Sequence, residues 1–254
     1  MILVMSGTAD GREIVRQLDR AGVSVRTTVA TSYGQEVFED MGLGHLCVRA
    51  KLSGDGLPNF IEENGVDTVI DATHPYAANA SRIAMEACKI KTIRYIRFQR
   101  EGTPLPQSPL IHQVDDVDQA VETAGRLGKR ILLTTGFKSA EDFSRLLKGG
   151  DGHEIIVRIL PMPEHISRCI EMGISQKNII AAQGPFSKEF NIVNIRDFDI
   201  HVVVTKDGGK EAKTQEKVDA CLETQTPLVV IQRPILDYPI TCSSMEELRS
   251  TLDL

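Results

Sequence analysis

Ile2-Leu3-Val4-Met5-Ser6-Gly7-Thr8-Ala9-Asp10-Gly11-Arg12 opens the chain, and the order of residue types in it decides the fold. Four apolar residues in succession suit a strand buried on both faces, as strands of parallel sheets are. Gly7 and Gly11 bracket Thr8-Ala9-Asp10, so a tight turn follows. Over residues 12–21, Ile14, Val15, Leu18 and Ala21 share one helical face, and Gly22 stops the helix. The same pattern continues outward. Strands are expected at 23–30, 45–49, 66–72 and 92–98, with helices at 57–64 and 75–88, the second opened by its proline. A polar, proline-bearing stretch at 99–109 reads as a linker. Beyond it Asp115 is expected to cap a helix running to Leu127. Strands follow at 130–134, 154–159, 178–182, 200–205 and 228–232, and Ser244 with Glu247 forms a capping box for a last helix. Strand-helix alternation on both sides of the linker predicts an α/β chain of two doubly wound, Rossmann-like parallel-sheet domains with a cleft between them. The expected division is 1–107, a dinucleotide-binding domain, and 108–254, a second domain completing the cofactor and substrate cleft.

The 254 residues are 41% hydrophobic and 25% charged, which fits a globular chain and excludes a disordered or fibrous one. No apolar run is long enough to span a membrane, and the first residues lack the basic flank of a secretory signal. The net charge of −6 and the absence of Lys/Arg runs argue against nucleic acid as a partner. Cys47, Cys88, Cys169, Cys221 and Cys242 are widely spaced, so reduced thiols and a cytoplasmic location are expected. The six histidines show no metal-ligand spacing, and no metal is expected.

In open parallel sheets, ligands bind beyond the carboxyl ends of the strands. The residues there are Ser6-Gly7-Thr8, Thr73-His74-Pro75-Tyr76, Thr135-Gly136, Arg158 with Leu160-Pro161, Gln183-Gly184-Pro185-Phe186-Ser187, Lys206-Asp207-Gly208-Gly209 and Arg233-Pro234. Small, hydroxyl and basic groups of this kind suit phosphates and carboxylates. Gly7 lets a backbone approach pyrophosphate, and the helix N-terminus beyond it directs N–H groups there. Asp10 is an awkward neighbour for phosphate and is read as a helix cap, whereas Arg12 in a first turn opposes the helix dipole and suits an anionic ligand. After the second strand, Ala30-Thr31-Ser32-Tyr33-Gly34 carries no acid for a ribose 2′-hydroxyl, which favours NADPH, with NADH as the alternative. A Walker loop, a G-x-S-x-G elbow and a tyrosine-lysine pair of the short-chain dehydrogenase type are all missing.

Together these segments resemble the precorrin-6A reductase family of cobalamin biosynthesis, including its cobalt-precorrin-6A members. The resemblance rests on Gly7 to Arg12, Asp71-Ala72-Thr73-His74-Pro75-Tyr76-Ala77, Thr134-Thr135-Gly136, Arg158-Ile159-Leu160-Pro161, Gly184-Pro185-Phe186-Ser187 with Glu189 and Asn191, Thr205-Lys206, and Arg233-Pro234. Asp10 stands where that family has glutamate. Asp207-Gly208-Gly209-Lys210-Glu211-Ala212 lacks the serine usual after the lysine.

The resemblance implies an oxidoreductase that transfers a hydride from a nicotinamide cofactor to one double bond of a polycarboxylate tetrapyrrole. Expected cofactor contacts are Gly7, Thr8, Gly11, Arg12, Thr31, Ser32, Thr73, Thr135, Gly136, Gly184, Pro185 and Lys206. Arg158, Lys206 and Arg233 are expected to hold substrate carboxylates. His74 and Tyr76 are the catalytic candidates. His74 either closes the turn beside Pro75 or touches the ligand, and Tyr76 serves as a wall or a proton donor. Ser187 is read as a helix cap and Asp71 as a buried acid satisfied by loop N–H groups. The alternative function is a dinucleotide-sensing module without catalysis.

Overall fold

Ile2–Ser6 forms strand β1, buried at every position. Next come α1 (Ala9–Arg20), β2 (Val25–Val29), α2 (Ser32–Asp40), β3 (Cys47–Arg49), α3 (Gly56–Glu63), β4 (Thr68–Ala72), α4 (Ala78–Lys91) and β5 (Arg94–Phe98). The computed structural model describes residues 1–50, 56–209 and 212–254. Its second half runs β6 (Ile111–Val114), α5 (Val117–Leu127), β7 (Arg130–Leu133), α6 (Phe137–Lys148), β8 (Glu154–Ile159), α7 (Pro163–Glu171) and β9 (Ile179–Ala181). Then come α8 (Lys188–Asp197), β10 (Val202–Lys206), α9 (Thr214–Glu223), β11 (Leu228–Ile231), β12 (Thr241–Cys242) and α10 (Met245–Thr251).

The strands form two parallel sheets in two units. The first unit comprises residues 1–101 and 235–254, with strand order β12-β5-β4-β1-β2-β3. In β1, Ile2 pairs with Val25 on one side and Thr68 on the other. Successive side chains of a strand point to opposite faces. Ile2 and Val4 therefore pack with Ile14, Leu18, Ile70 and Ile96 on one face. Leu3 and Met5 pack with Leu57, Ile61, Val69 and Tyr95 on the other. The second unit, residues 102–234, has the order β6-β11-β10-β7-β8-β9. A core there gathers Leu132, Ile156, Ile195, Val203, Val218 and Val230.

Each sheet has a point where the chain reverses its direction of winding. In the first unit the chain winds from β1 through β2 to β3, then crosses to β4 on the other side of β1. In the second it winds from β7 to β9, then crosses to β10 on the other side of β7. Helices diverge at such points, so the carboxyl ends of β1 and β4, and of β7 and β10, are where each unit is built to receive a ligand.

Several local expectations are corrected. The last twenty residues belong to the first unit, because β12 adds to β5 through Thr241↔Arg97 and Cys242↔Phe98. A division at 107/108 cannot show this, since two short paired residues carry no strand period. Thr8, not Asp10, caps α1, and Asp116, not Asp115, caps α5. Helix α4 begins at Ala78 rather than at Pro75, after a turn closed by Ala77 N–H to His74 O (2.8 Å). Arg158 lies inside β8 rather than past it. Two expected caps hold: Ser187 caps α8 by accepting from Phe190 N–H (3.2 Å), and Ser244 caps α10 by accepting from Glu247 N–H (3.1 Å).

Candidate functional site

In the first unit the loop after β1 and the loop after β4 touch. A Cβ on Gly7 would stand 3.3 Å from His74 N and from Thr73 Cα, so only glycine allows this approach without displacing backbone. Thr8 Oγ1 joins the two strands' ends by donating to Ala72 O (3.0 Å) while accepting from Gly11 N–H (3.2 Å). Gly11 presses α1 against β1, since a Cβ there would meet Ser6 Oγ at 2.9 Å. Arg12 is half-buried in the first turn of α1. The carboxylate of Asp10 pairs with Arg100 at 2.6 Å, which tempers its repulsion of an anion. Thr31 caps α2 through Gly34 N–H (3.1 Å), and Ser32 follows it, exposed, at the same edge of the sheet.

Beneath the β4 loop lies a buried polar network. Asp71 and Arg97 are both fully buried, and the sheet register sets them opposite each other. Asp71 Oδ1 accepts from Arg97 Nη1 (2.8 Å), Thr73 N–H (3.0 Å) and Thr73 Oγ1 (2.6 Å), while Oδ2 accepts from Tyr95 Oη (2.7 Å). Burial alone would raise the Asp71 pKa. The Arg97 charge and the hydroxyls of Ser81, Thr73 and Tyr95 outweigh it and hold the carboxyl below its ordinary value. Burial, then the Asp71 charge, pushes the Tyr95 phenol well up, so Tyr95 stays a donor. Arg97 Nη2 donates to Thr73 O (3.1 Å) and to Gln99 Oε1 (3.0 Å). The Tyr238 ring lies 5.5 Å from the Arg97 guanidinium.

Above this network His74 is exposed. Its Nδ1 accepts from Tyr76 N–H (3.3 Å), so in the neutral ring the proton sits on Nε2. The His74 and Tyr76 rings stand 5.6 Å apart, tilted by 38°. Gly7, Thr8, Thr73, His74 and Tyr76 are thus brought to one place, the winding reversal of the first sheet.

In the second unit a comparable group forms between β7 and β10. Thr134 N–H and Oγ1 both reach Val204 O (2.9 and 3.0 Å). Thr135 Oγ1 is buried without a hydrogen-bond partner among the described residues, a costly arrangement that a ligand acceptor or donor would relieve. Gly136, at φ 84°, opens α6 with no side-chain cap. Lys206 ends β10 and lies near α6: burial lowers its pKa, with Asp142 opposing and Lys138 adding to the effect. Thr135, Gly136 and Lys206 therefore form one set.

Arg158 and Arg233 take other places. Arg158 is 6% exposed. It donates from Nη1 to Asn191 Oδ1 (2.9 Å) and lies under the Phe186 ring at 4.3 Å. Gly184 and Pro185 are exposed beside this stack. Arg233 Nε donates to Asp207 O (3.0 Å) and pairs with Asp207 Oδ2 (3.2 Å). Both arginines hold loops at the sheet edge, and neither was legible in that role. Lys210 and Glu211, in the segment after Lys206, lie outside the described residues. Arg97, Tyr95 and Tyr238 were missed by the sequence reading. An arginine inside a strand otherwise fit for burial, matched by an acid in the preceding strand, was the available signal for the pair.

Other features point elsewhere. A cavity of about 940 Å³ between α1 and α10 is lined by the last turn of α1, away from the carboxyl edge of the sheet. Among the described residues no three His, Cys, Asp or Glu side chains gather as metal ligands, and no helix is long and apolar enough to cross a membrane.

The family model described as "Precorrin-6x reductase CbiJ/CobK" matches residues 1–253. The cobalt-precorrin-6A reductase of Salmonella typhimurium is 37% identical over 234 residues, covering 92% of this chain and 87% of that one. The cobalt-precorrin-6A reductase of Priestia megaterium is 33% identical over 248 residues, covering 97% and 96%. A solved structure titled CobK precorrin-6A reductase matches with a TM-score of 0.82 at 24% identity, over 99% of this chain and 95% of that one, and supports the fold. With a family match over nearly its full length and relatives above 30% identity, the chain belongs to the precorrin-6x reductase family, a family of oxidoreductases of cobalamin biosynthesis.

Proposed function

We propose that this chain reduces one double bond of a precorrin-6A-type macrocycle, in its metal-free or cobalt form, using NADPH, with NADH as the alternative donor. The observation that carries the reading is the contact of the Gly7-Thr8 and Thr73-His74 loops at the winding reversal of a parallel sheet, in a chain of this family. A nicotinamide nucleotide fits the residues present. Gly7 leaves room for a close backbone approach, and the Thr135 hydroxyl is buried with no partner among the described residues. Gly7, Thr8, Gly11, Arg12, Thr31, Ser32 and Thr73 in the first unit, and Thr135, Gly136, Gly184, Pro185 and Lys206 in the second, are the proposed cofactor contacts. When bound, the cofactor supplies the hydride.

The chain's own residues bind, orient and protonate. Lys206 is the proposed contact for phosphate or substrate carboxylate. Arg158 and Arg233 act on a substrate carboxylate chiefly by fixing the loops around it. The reduced macrocycle takes up one proton to balance the hydride. His74 is the proposed donor, with its proton on Nε2 and its ring set by the Tyr76 N–H, and Tyr76 forms the wall beside it.

Anaerobic mixing of the protein with precorrin-6A or cobalt-precorrin-6A and each nicotinamide nucleotide tests this. One equivalent of cofactor should be oxidised per macrocycle whose spectrum changes. His74→Phe should slow turnover by about 10²–10⁴-fold, the usual worth of a positioned proton donor. Nucleotide binding with an unchanged macrocycle spectrum would instead identify a sensing module.

A further inference from the structure

A densely hydrogen-bonded buried polar cluster lies directly beneath the proposed site, and its charged pair does not reach the edge where a ligand would sit. Asp71 and Arg97 are each 0% exposed. A buried ion pair is a poor way to stabilise a fold, because desolvation offsets most of its attraction, and an apolar pair of similar volume does as well or better. An arginine buried at Arg97 likewise runs against the composition of the inner strand β5. The pair is better explained by what it holds.

Four hydrogen bonds of the pair end on one residue, more than on any other partner the pair is bonded to. That residue is Thr73: its N–H and Oγ1 are held by Asp71 Oδ1, and its carbonyl and Oγ1 by the Arg97 guanidinium (3.1 and 3.2 Å). Thr73 is the residue before His74, and its Cα abuts Gly7. The Arg97 fork is in turn set from behind. Gln99 Oε1 takes Nε (3.2 Å) and Nη2 (3.0 Å), and Tyr238 lies over the plane while stacking on Tyr95 at 6.4 Å. The backbone of β12 completes the set, since Arg97 N–H donates to Ile240 O (2.8 Å) and Gln99 N–H to Cys242 O (2.9 Å).

We propose that Arg97, clamped between Asp71, Gln99 and Tyr238, is a positioning residue for the proposed reduction: it fixes Thr73 and thereby the placement and tautomer of His74. The inference rests on the reading of His74 as ligand-facing. Only a planar, forked cation can serve Asp71, Thr73 O and Gln99 at once. Lysine keeps the charge beside Asp71 but cannot span those acceptors. The C-terminal segment has a part too, because Tyr238 closes the clamp from residues far along the chain.

The test uses the full chain with Arg97→Lys, Arg97→Met and Tyr238→Leu. Ring nitrogen NMR of His74 reads the tautomer without substrate or cofactor, so it stands apart from the reductase reading. In the parent protein the Nε2–H form should dominate. In Arg97→Lys, with melting and circular dichroism showing a folded protein, the two ring nitrogens should move toward averaged shifts. Turnover should fall on the order of 10²-fold, the cost of a small misplacement of a reacting group, with KM changed far less than kcat. Tyr238→Leu should show the same pattern more weakly. Should Arg97→Met unfold the chain, Arg97→Lys and Tyr238→Leu still decide the matter. An unchanged His74 tautomer in a folded Arg97→Lys, or a loss in KM alone, would overturn the proposal. A shifted tautomer with no reductase activity in the parent protein would leave the clamp standing and remove the reading of the site.

Discussion

At the scale of single residues, the second unit buries two positive charges, Arg158 and Lys217, and the burial of Lys217 gives its stability a pH dependence. Lys217 is 8% exposed and donates to Ala212 O (2.7 Å), while Arg158 lies close enough to repel it. Burial, followed by the Arg158 charge, lowers the Lys217 pKa from 10.5 to about 8, against the pull of Glu216 and Asp207. The folded chain thus holds this proton less tightly than the unfolded chain. The cost is fully present below about pH 8 and is relieved as pH rises from about 8 toward 10.5, because the unfolded state then binds more protons. Urea unfolding of the parent protein and Lys217→Met across that range should show the parent gaining stability relative to the variant as pH rises. Parallel pH profiles would contradict the buried, charged lysine. Neither Lys217 nor Arg97 announced itself in the sequence. Lys217 is held by a loop carbonyl five residues back and Arg97 by an acid in the preceding strand, and a basic residue taken singly reads first as solvated. The placement of Gly7, Thr8 and His74 at the strand ends was legible, because the apolar run before each marks where its strand stops.

At the scale of elements, the joint between β1 and α1 carries two duties. Thr8 closes the helix and ties it to the end of β4 with a single hydroxyl. Thr8→Ala should cost about 1 kcal/mol of stability through loss of the cap. It should also weaken nucleotide binding measured by calorimetry, because the Gly7-Thr8 backbone is no longer tied to Ala72. A loss of stability with nucleotide affinity untouched would confine Thr8 to capping. The strands read from the sequence were β1 to β5 and β7 to β11, each marked by an apolar run between turn or helix signals. Those that escaped were short or polar: α2, β6, β12 and the start of α4. There Pro75 suggested a first helical turn, but the hydrogen bond from Ala77 to His74 O makes the segment a separate turn. That difference matters, because it keeps His74 and Tyr76 out of the helix and at the edge of the sheet.

At the scale of the whole molecule, two parallel sheets were predictable from strand-helix alternation, whereas the membership of the last twenty residues was not. Return of the chain to β5 depends on two paired residues and a short capped helix, a signal too brief for periodicity to register. That return also bears on the proposed clamp, since Tyr238 reaches Arg97 from the same segment. The chain's net charge of −6 opposes a polyanionic ligand at long range, so local groups must do the holding. Lys206 and the backbone N–H groups at the winding reversals are the groups proposed to do so. The proposed reaction passes a hydride from nicotinamide to the macrocycle on this protein. NADPH deuterated at the transferring carbon, incubated with the protein and cobalt-precorrin-6A or precorrin-6A, tests it by mass spectrometry of the macrocycle. Deuterium carried into the reduced ring is the predicted result. A macrocycle that stays unreduced, or is reduced without the label, would contradict the claim.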